Sequence, residues 1–285
     1  MTLLHEADAL GAGLPPLLVQ ADHLAMNVSL GVHGRRKAGM GESFWQFRRH
    51  RPEDTYGAID WRQSAKSQHL FVREREWEAA QSVWLWRDGS PGMRFGSAGV
   101  TKIERANLLA LALAALLVRG GERVALLGEG EAPAASRSAL HRMAHRLLVG
   151  PARADNVPPQ APPARGARSV WFGDFLAPLE DLEKSLLGFS RAGAGGHLVR
   201  IIDQAEEDFP YAGRTRFESP GGEQSEIFGR AESVAASYRA RFQAHGEALA
   251  QLAARFGWTL TTHRTDHSPQ AALIALHAAL GGTIH

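Results

Sequence analysis

Residues 82–92 read SVWLWRDGSPG, a short apolar run that ends in an aspartate and a glycine-rich turn. An apolar run of this length, bounded by a turn, is typical of a strand that is buried on both faces of a sheet. Four later segments have a similar character, and helical patterns separate them: RVALLGE (123–129), SVWFGDF (169–175), HLVRIID (197–203) and WTLTTH (258–263). This alternation predicts an α/β fold, a doubly wound and mostly parallel sheet with helices on both faces.

The segments between these strands carry the expected helical signals. The helix at 104–121, ERANLLALALAALLVRGG, is apolar nearly all round and ends at Gly120 and Gly121. Further helices are predicted at 136–149, 178–193, 230–257 and 268–282. Residues 206–229 are polar and rich in turn residues, which indicates a hairpin excursion between the fourth strand and the next helix.

The composition excludes several classes of protein. Of the 285 residues, 44% are apolar and 22% are charged, which is ordinary for a soluble globular protein. Without cysteine, the chain has no disulfides, no thiolate metal site and no cysteine nucleophile. The net charge of +2 does not indicate a nucleic-acid binder. The longest apolar run, residues 108–118, is shorter than the roughly 20 residues that cross a bilayer, so we expect a cytoplasmic protein.

The first 81 residues have a different organisation. Residues 17–25 carry a helical apolar stripe, and residues 33–68 mix glycine, arginine and aromatic residues without a long periodic stretch. Asp60 is placed to cap a short helix from residue 61. The segment HLFVREREW (69–77) alternates with charge on both faces, which indicates an edge strand. We therefore expect an N-terminal segment, 1–81, packed on an α/β domain, 82–285.

Acidic residues follow the predicted strands. In doubly wound sheets, ligands bind beyond the carboxyl ends of the strands, where the strand order reverses. Asp88 and Ser90 follow the first strand, Asp174 follows the third, and Asp203 follows the fourth together with Glu206. Such oxygen ligands suit Mg²⁺. The alternative is that the aspartates cap helix N-termini, where a carboxylate is equally favourable. No glycine-rich nucleotide motif follows any of these strands.

One tract of the chain, residues 34–94, carries an unusual set of polar, glycine and aromatic residues. Beside Asp88-x-Ser90 the set comprises Arg35, Arg36, Gly39, Gly41, Glu42, Phe44, Arg48, Asp54, Asp60, Trp61, Ser64, Arg73, Glu74 and Glu76. In these positions the chain resembles the DUF58 family, whose C-terminal part is similar to von Willebrand factor A (vWA) domains. The resemblance implies a vWA-like, Rossmann-type domain that serves as a non-enzymatic adaptor or chaperone partner of a MoxR-type AAA+ ATPase. It also implies that the residues of this set, from Arg35 to Glu76, form a family signature or a partner-facing surface. Many relatives carry N-terminal transmembrane helices, and this chain resembles the short, soluble branch.

The resemblance also implies a metal-ion-dependent adhesion site. That site needs the motif Asp-x-Ser-x-Ser, a threonine from a later loop and a later aspartate. Asp88, Ser90 and Asp174 match, but Gly92 stands at the third motif position, and no threonine lies between residues 102 and 173. Asp155 or Asn156 could replace the threonine. The resemblance therefore implies a degenerate site that holds Mg²⁺ weakly, with a carboxylate of the partner completing the coordination.

Three other functions remain open from the sequence. The carboxylates of Asp88 and Asp174 could serve a metal-dependent hydrolase, although no general base stands at a diagnostic spacing. The basic segment 35–51, with its interleaved aromatic residues, could bind nucleic acid, although acidic residues lie in and beside it and favour internal ion pairs. His141 and His145 have the i, i+4 spacing of zinc ligands but lack an intervening glutamate, which favours a solvated helix face.

Overall fold

The computed structural model describes residues 16–33, 44–51, 54–67, 69–75, 81–149 and 156–281. Seven residues singled out above lie outside these ranges: Arg35, Arg36, Gly39, Gly41, Glu42, Glu76 and Asp155. The chain divides into two compact units. One comprises residues 31–80, and the other comprises residues 81–285 together with the segment up to Leu30. The larger unit thus includes the N-terminal helix up to Leu30 as well as the chain from Gln81. The predicted division into 1–81 and 82–285 stays a prediction, and so does the packing of the first segment on the second.

The N-terminal helix α1 spans Pro16–His33, as its apolar stripe predicts. Within the smaller unit, strand β1 (Phe44–Arg49) pairs antiparallel with β2 (Phe71–Arg75), and the short helix α2 (Trp61–Ser64) lies between them in sequence. The predicted strand at 69–77 is confirmed with shorter bounds. Residues 44–49, for which the sequence analysis predicted no element, form β1. Its partner lies more than 20 residues further along the chain, so local periodicity does not reveal the pairing.

The larger unit alternates strands and helices. In chain order it contains β3 (Ser82–Arg87), α3 (Lys102–Arg119), β4 (Arg123–Leu126), α4 (Arg137–Val149), β5 (Arg168–Gly173), α5 (Leu179–Arg191), β6 (Gly195–Ile202), α6 (Gln204–Asp208), β7 (Thr215–Glu218), β8 (Ser225–Phe228), α7 (Ala235–Arg255), β9 (Thr259–Arg264) and α8 (Pro269–Gly281). The strands β7 and β8 form the predicted hairpin. Among the described residues, no helix is long and apolar enough to cross a membrane.

The central sheet has five strands in the order β4-β3-β5-β6-β9, and every neighbouring pair is parallel. The predicted parallel α/β fold is therefore confirmed. After β3 the chain adds β4 on one side and then returns to add β5 on the other. The strand order thus reverses between β3 and β5, and this is the point where sheets of this order bind their ligands.

Apolar side chains bury both faces of the sheet. Helix α3 contributes Leu109, Leu111 and Leu113, all fully buried, which accounts for its continuous apolar sequence. On another part of the core, the ring of Trp171 contacts Phe189 edge-on at 5.0 Å and lies 4.2 Å from Trp258, both distances being between ring centroids. Aromatic residues of this size contribute large apolar areas, so they fix the positions of the strands that carry them.

Candidate functional site at the carboxyl end of the sheet

Three aspartates follow the strands β3, β5 and β6, and each closes the same local turn. The carboxylate of Asp88 accepts a hydrogen bond from the Ser90 backbone N–H at 2.8 Å. In the same way Asp174 accepts from Leu176 at 3.1 Å, and Asp203 accepts from Ala205 at 2.9 Å. Aspartate favours such turns because its short side chain reaches the N–H two residues ahead.

Only one of the three aspartates caps an α-helix. Asp203 is the N-cap of α6, with Glu206 completing a capping box. The residue that precedes the 3₁₀ turn Pro91–Arg94 is Ser90, and the residue that precedes α5 is Pro178. Helix capping therefore accounts for Asp203 and not for Asp88 or Asp174.

The structure brings Asp88, Ser90 and Asp174 together at the point where the strand order reverses. The two glycines beside them show how close the approach is. A Cβ at Gly173 would lie 3.0 Å from Asp88 Cβ and 3.3 Å from Asp88 Oδ2. A Cβ at Gly92 would lie 3.2 Å from Asp174 Oδ2 and 3.8 Å from Ser90 Oγ.

The Asp88 carboxyl is held in an unfavourable environment for a charge. The residue is 1% exposed, and its Oδ2 has no hydrogen-bond partner within the described chain. Burial, followed by the neighbouring charge of Asp174, raises the pKa of Asp88 to about 6, although hydrogen bonds from Ser90 and the charge of Lys102 oppose this change. At neutral pH the group is thus a buried carboxylate with one unsatisfied oxygen.

A residue that the sequence analysis did not select lies at the centre of this site. Lys102 begins α3 and is 1% exposed. Its ammonium donates to Asp174 Oδ2 at 2.8 Å and to Glu206 Oε1 at 2.5 Å. Burial by itself would lower the pKa of Lys102, but the charges and hydrogen bonds of Asp174 and Glu206 outweigh it and raise the pKa. The ammonium therefore stays charged.

The sequence did contain a signal for Lys102. The chain has 32 basic residues, and lysine accounts for only four of them. A cation in the first turn of a helix is also unfavourable, because the helix dipole is positive there. A lysine at the start of a buried apolar helix in an arginine-rich chain needs a specific partner. The sequence does not show that its partners are Asp174 and Glu206, which lie 72 and 104 residues further along.

These residues do not fit a divalent cation while Lys102 is charged. The ammonium already binds Asp174 Oδ2, the oxygen nearest the third motif position, and Gly92 offers no hydroxyl there. Among the described residues, no group of three or more His, Cys, Asp or Glu side chains is arranged to hold a metal ion. Of the two proposed substitutes for the missing threonine, the structure describes only Asn156, which is exposed. Magnesium binding stays a prediction.

A second polar cluster lies beside the first and centres on Asp203, which is fully buried. Besides the Ala205 N–H, its carboxylate accepts hydrogen bonds from the Ser97 backbone and hydroxyl and from Thr265 Oγ1. Burial would raise the pKa of Asp203, but the hydrogen bonds from Ser97, Ala205 and Thr265 outweigh burial and lower the pKa. The cluster ties the loop after β3 to the ends of β6 and β9.

An arginine lies close to both clusters without a close ion pair among the described residues. Arg200, in β6, is buried, and its guanidinium lies over the ring of Phe242 at 4.5 Å. Its Nε and Nη2 have no hydrogen-bond partner within the described chain. Burial lowers the pKa of Arg200, and the charges of Glu206 and Asp174 oppose that effect.

The surface around the buried groups is partly apolar. Phe95 and Leu176 are 38% and 48% exposed, on the loops that follow β3 and β5. A cavity of about 310 Å³ opens beside Gly89, between the ends of β3 and β4, and Arg87, Glu129 and Arg146 contribute its charged lining. The carboxylates predicted as ligands are therefore buried, and the surface near them is formed by their neighbours in sequence.

The family-signature residues that the structure describes lie in the smaller unit. Asp60 caps α2 by accepting from the Gln63 N–H at 2.9 Å, which confirms the predicted cap. Ser64 Oγ donates to the Asp60 carbonyl and accepts from the Phe71 N–H, both at 2.8 Å, so it joins α2 to β2. The remaining described members are Phe44 and Arg48 in β1, Arg73 and Glu74 in β2, Asp54, which accepts from the Arg51 N–H, and Trp61, which is exposed. Asp60 and Ser64 thus stabilise this unit's local structure.

The other predicted metal candidates, His141 and His145, lie on α4. His145 is exposed on α4 and His141 is half-buried one turn before it. The pair contributes to no metal cluster among the described residues.

Comparison with known proteins places the chain in a family. No curated protein matches it. Among solved structures, it is similar to a protein described as "conserved hypothetical protein BatB" from Bacteroides thetaiotaomicron, with 10% identity and a TM-score of 0.41 over 71% of this chain and 100% of the other. A structure described as an "aerotolerance-related membrane protein" from Bacteroides fragilis matches with 11% identity, a TM-score of 0.41 and the same coverage. The family model "Protein of unknown function DUF58" matches residues 46–249, and the chain therefore belongs to the DUF58 family.

Proposed function

We propose that this protein is a non-enzymatic interaction module that binds a partner protein at the carboxyl end of its parallel sheet. The partner that the family resemblance implies is a MoxR-type AAA+ ATPase. In this proposal the buried polar groups shape the binding surface, and the exposed side chains on the same loops contact the partner.

The buried charged groups form ion pairs with one another, and this pairing supports a structural role for them. Lys102 joins the loop after β5 to α6 through Asp174 and Glu206. Asp203 joins the loop after β3 to the end of β9 through Ser97 and Thr265. Groups whose hydrogen bonds are directed inward hold loops in place, and rigid loops lose less conformational entropy on binding a partner.

The observation that carries the proposal is the exposure of Phe95 and Leu176 beside these buried groups. Leu176 donates its backbone N–H to Asp174, and Phe95 accepts the backbone N–H of Lys102 at 2.9 Å. Each large apolar side chain thus stands on backbone that the buried cluster fixes. Exposed aromatic and aliphatic side chains on a rigid support are the usual anchors of protein interfaces.

The test is a binding measurement between the purified full chain and a purified MoxR-type ATPase from the same organism. Leu176→Ser and Phe95→Ser should each weaken binding and raise the dissociation constant about tenfold or more, which corresponds to ~1.4 kcal/mol. Ile274→Ser is the matched control, because Ile274 is also an exposed apolar residue, 43% exposed, but lies on α8. Thermal unfolding of all three variants would check that each remains folded.

Two results would refute parts of the proposal. If the ATPase binds the wild-type chain but the two serine variants bind as well as Ile274→Ser does, the carboxyl-end surface is not the docking site. If the wild-type chain and the ATPase form no complex by native mass spectrometry, with nucleotide present or absent, the proposed partner is wrong.

A further inference from the structure

The Lys102 ammonium contacts one of the carboxylates that the resemblance assigns to an adhesion site of the vWA type. It binds Asp174 Oδ2, and Asp174 is the residue that matches the later aspartate of that motif. A Cβ at Gly92, the third motif position, would lie 3.2 Å from the same oxygen. The ammonium thus binds the carboxylate oxygen that faces the rest of the motif.

Burial makes this lysine a fixed part of the site. Lys102 is 1% exposed, and its second partner, Glu206, is held in turn by accepting the Asp203 backbone N–H at 2.9 Å. A buried ammonium is stable only with close carboxylate partners, and here it has two. Its compact charge on a flexible stem also suits a space between two carboxylates that a planar guanidinium would fill poorly.

A divalent cation and this ammonium would compete for one place. A cation bound to Asp174 Oδ2 would stand within a few ångströms of Nζ, and two positive charges at such a separation repel each other strongly in a buried site. The second motif aspartate is nevertheless still available as a ligand. Asp88 is equally buried, and its Oδ2 has no hydrogen-bond partner within the described chain.

We propose that the Lys102 ammonium replaces the metal ion of an adhesion site. It joins the carboxylates of Asp174 and Glu206, and it excludes divalent cations from Asp88 and Asp174. The site is therefore a metal-independent form of an adhesion site. Removing the ammonium opens a place for a divalent cation between oxygen ligands that the chain already supplies. This inference concerns the chain alone and does not depend on which partner it binds.

The first test is a titration of the full chain with Mn²⁺, followed by electron paramagnetic resonance of the free ion and by competition with Mg²⁺. The wild-type chain should show no Mn²⁺ site that depends on Asp174 up to about 1 mM, the weak end of protein sites for such ions. Lys102→Gln should gain one site, at least tenfold tighter than any in the wild type, and Mg²⁺ should displace Mn²⁺ from it. Adding Asp174→Asn to that variant should abolish the site. Lys184→Gln, which removes an exposed lysine paired with Asp181, is the matched control and should gain none.

The second test remains informative if Lys102→Gln folds poorly. Thermal unfolding of the wild-type chain should be the same in EDTA and in excess Mg²⁺, whereas Mg²⁺ should raise the unfolding temperature of Lys102→Gln or restore its folding. A wild-type site for Mn²⁺ that Asp174→Asn removes would overturn the proposal. A folded Lys102→Gln variant that gains no site would overturn it as well. Because neither test contains a partner protein, the result is separate from the outcome of the ATPase binding experiment.

Discussion

Asp88 and Asp203 are the same residue type at the same edge of one sheet, and both are almost completely buried, at 1% and 0% exposure. Their pKa values are nevertheless displaced in opposite directions. The pKa of Asp88 is raised to about 6, and that of Asp203 is lowered. Asp203 accepts hydrogen bonds from Ser97, Ala205 and Thr265, whereas Asp88 accepts from Ser90 and keeps one oxygen without a partner.

Burial raises the pKa of both carboxyl groups, and the difference shows that the surrounding hydrogen-bond donors decide whether this effect is outweighed. The Asp203 carboxylate accepts hydrogen bonds from neutral donors of the loop after β3, of α6 and of the loop after β9. Asp88 instead lies next to Asp174, a second carboxylate, whose closest cation is shared with Glu206. A buried carboxylate without sufficient donors is a strained feature that a chain keeps where it serves a purpose.

The largest effect is expected when the well-satisfied aspartate is removed. Asp203→Ala leaves the donors of Ser97, Ala205 and Thr265 unpaired, and the hydrogen bonds from Ala205 and Thr265 are buried. We expect the free energy of unfolding to fall by about 3–5 kcal/mol, measured by urea denaturation. The control is Lys184→Ala, which breaks an exposed ion pair with Asp181 and should leave the free energy of unfolding nearly unchanged. An equal effect of the two changes would contradict the role assigned to Asp203.

Asp88→Asn should have the opposite sign and depend on pH. Because the folded-state pKa of Asp88 lies above its ordinary value of 3.8, the folded protein binds the proton more tightly than the unfolded chain does. Its contribution to stability is therefore fully present below about pH 4 and is lost as pH rises to about 6. The neutral amide avoids this loss, so we expect the variant to be more stable than the wild type by up to about 3 kcal/mol at pH 8 and equal to it near pH 4. Chemical denaturation at the two pH values measures the free energy of unfolding of both proteins. A variant that is less stable than the wild type at pH 8 would show that the surroundings of Asp88 favour its charged form, which contradicts the raised pKa.

A smaller effect is expected from a methyl group added at Gly173, where Asp88 packs against the end of β5. A Cβ at Gly173 would lie 3.0 Å from Asp88 Cβ, so Gly173→Ala forces the two loops apart. We expect a loss of about 1–2 kcal/mol in the free energy of unfolding. Gly229→Ala is the control, because a Cβ at Gly229 meets no atom within 4 Å. If both variants unfold at the same denaturant concentration, the contact between Asp88 and the end of β5 is looser than described.

The sequence predicts most of the α/β unit because its signals are local. The central residues of β3 and β5, 83–86 and 170–172, are all apolar, as is typical of strands in a parallel sheet covered on both faces. The end of α3 at Gly120 and the hairpin between β6 and α7 also follow from nearby residues. Strand β1 was not predicted because its pairing partner, β2, lies more than 20 residues further along the chain.

The site was predicted only in part for a similar reason. Parallel strands place their carboxyl ends together, so the meeting of Asp88 and Asp174 follows from the strand pattern. The partners of Asp174 cannot be predicted in this way, because Lys102 lies in α3 and Glu206 lies in α6, after another strand. The sequence marks Lys102 as unusual, but only the folded chain shows which charges it joins.

The most direct test of this account is a crystal structure of the wild-type chain grown in excess Mn²⁺, with anomalous difference density calculated around the ends of β3 and β5. The account predicts no anomalous peak at Asp88 or Asp174, with Lys102 Nζ in hydrogen-bond contact with Asp174 and Glu206. A manganese peak coordinated by the carboxylates of Asp88 and Asp174, with the Lys102 side chain displaced, would contradict it.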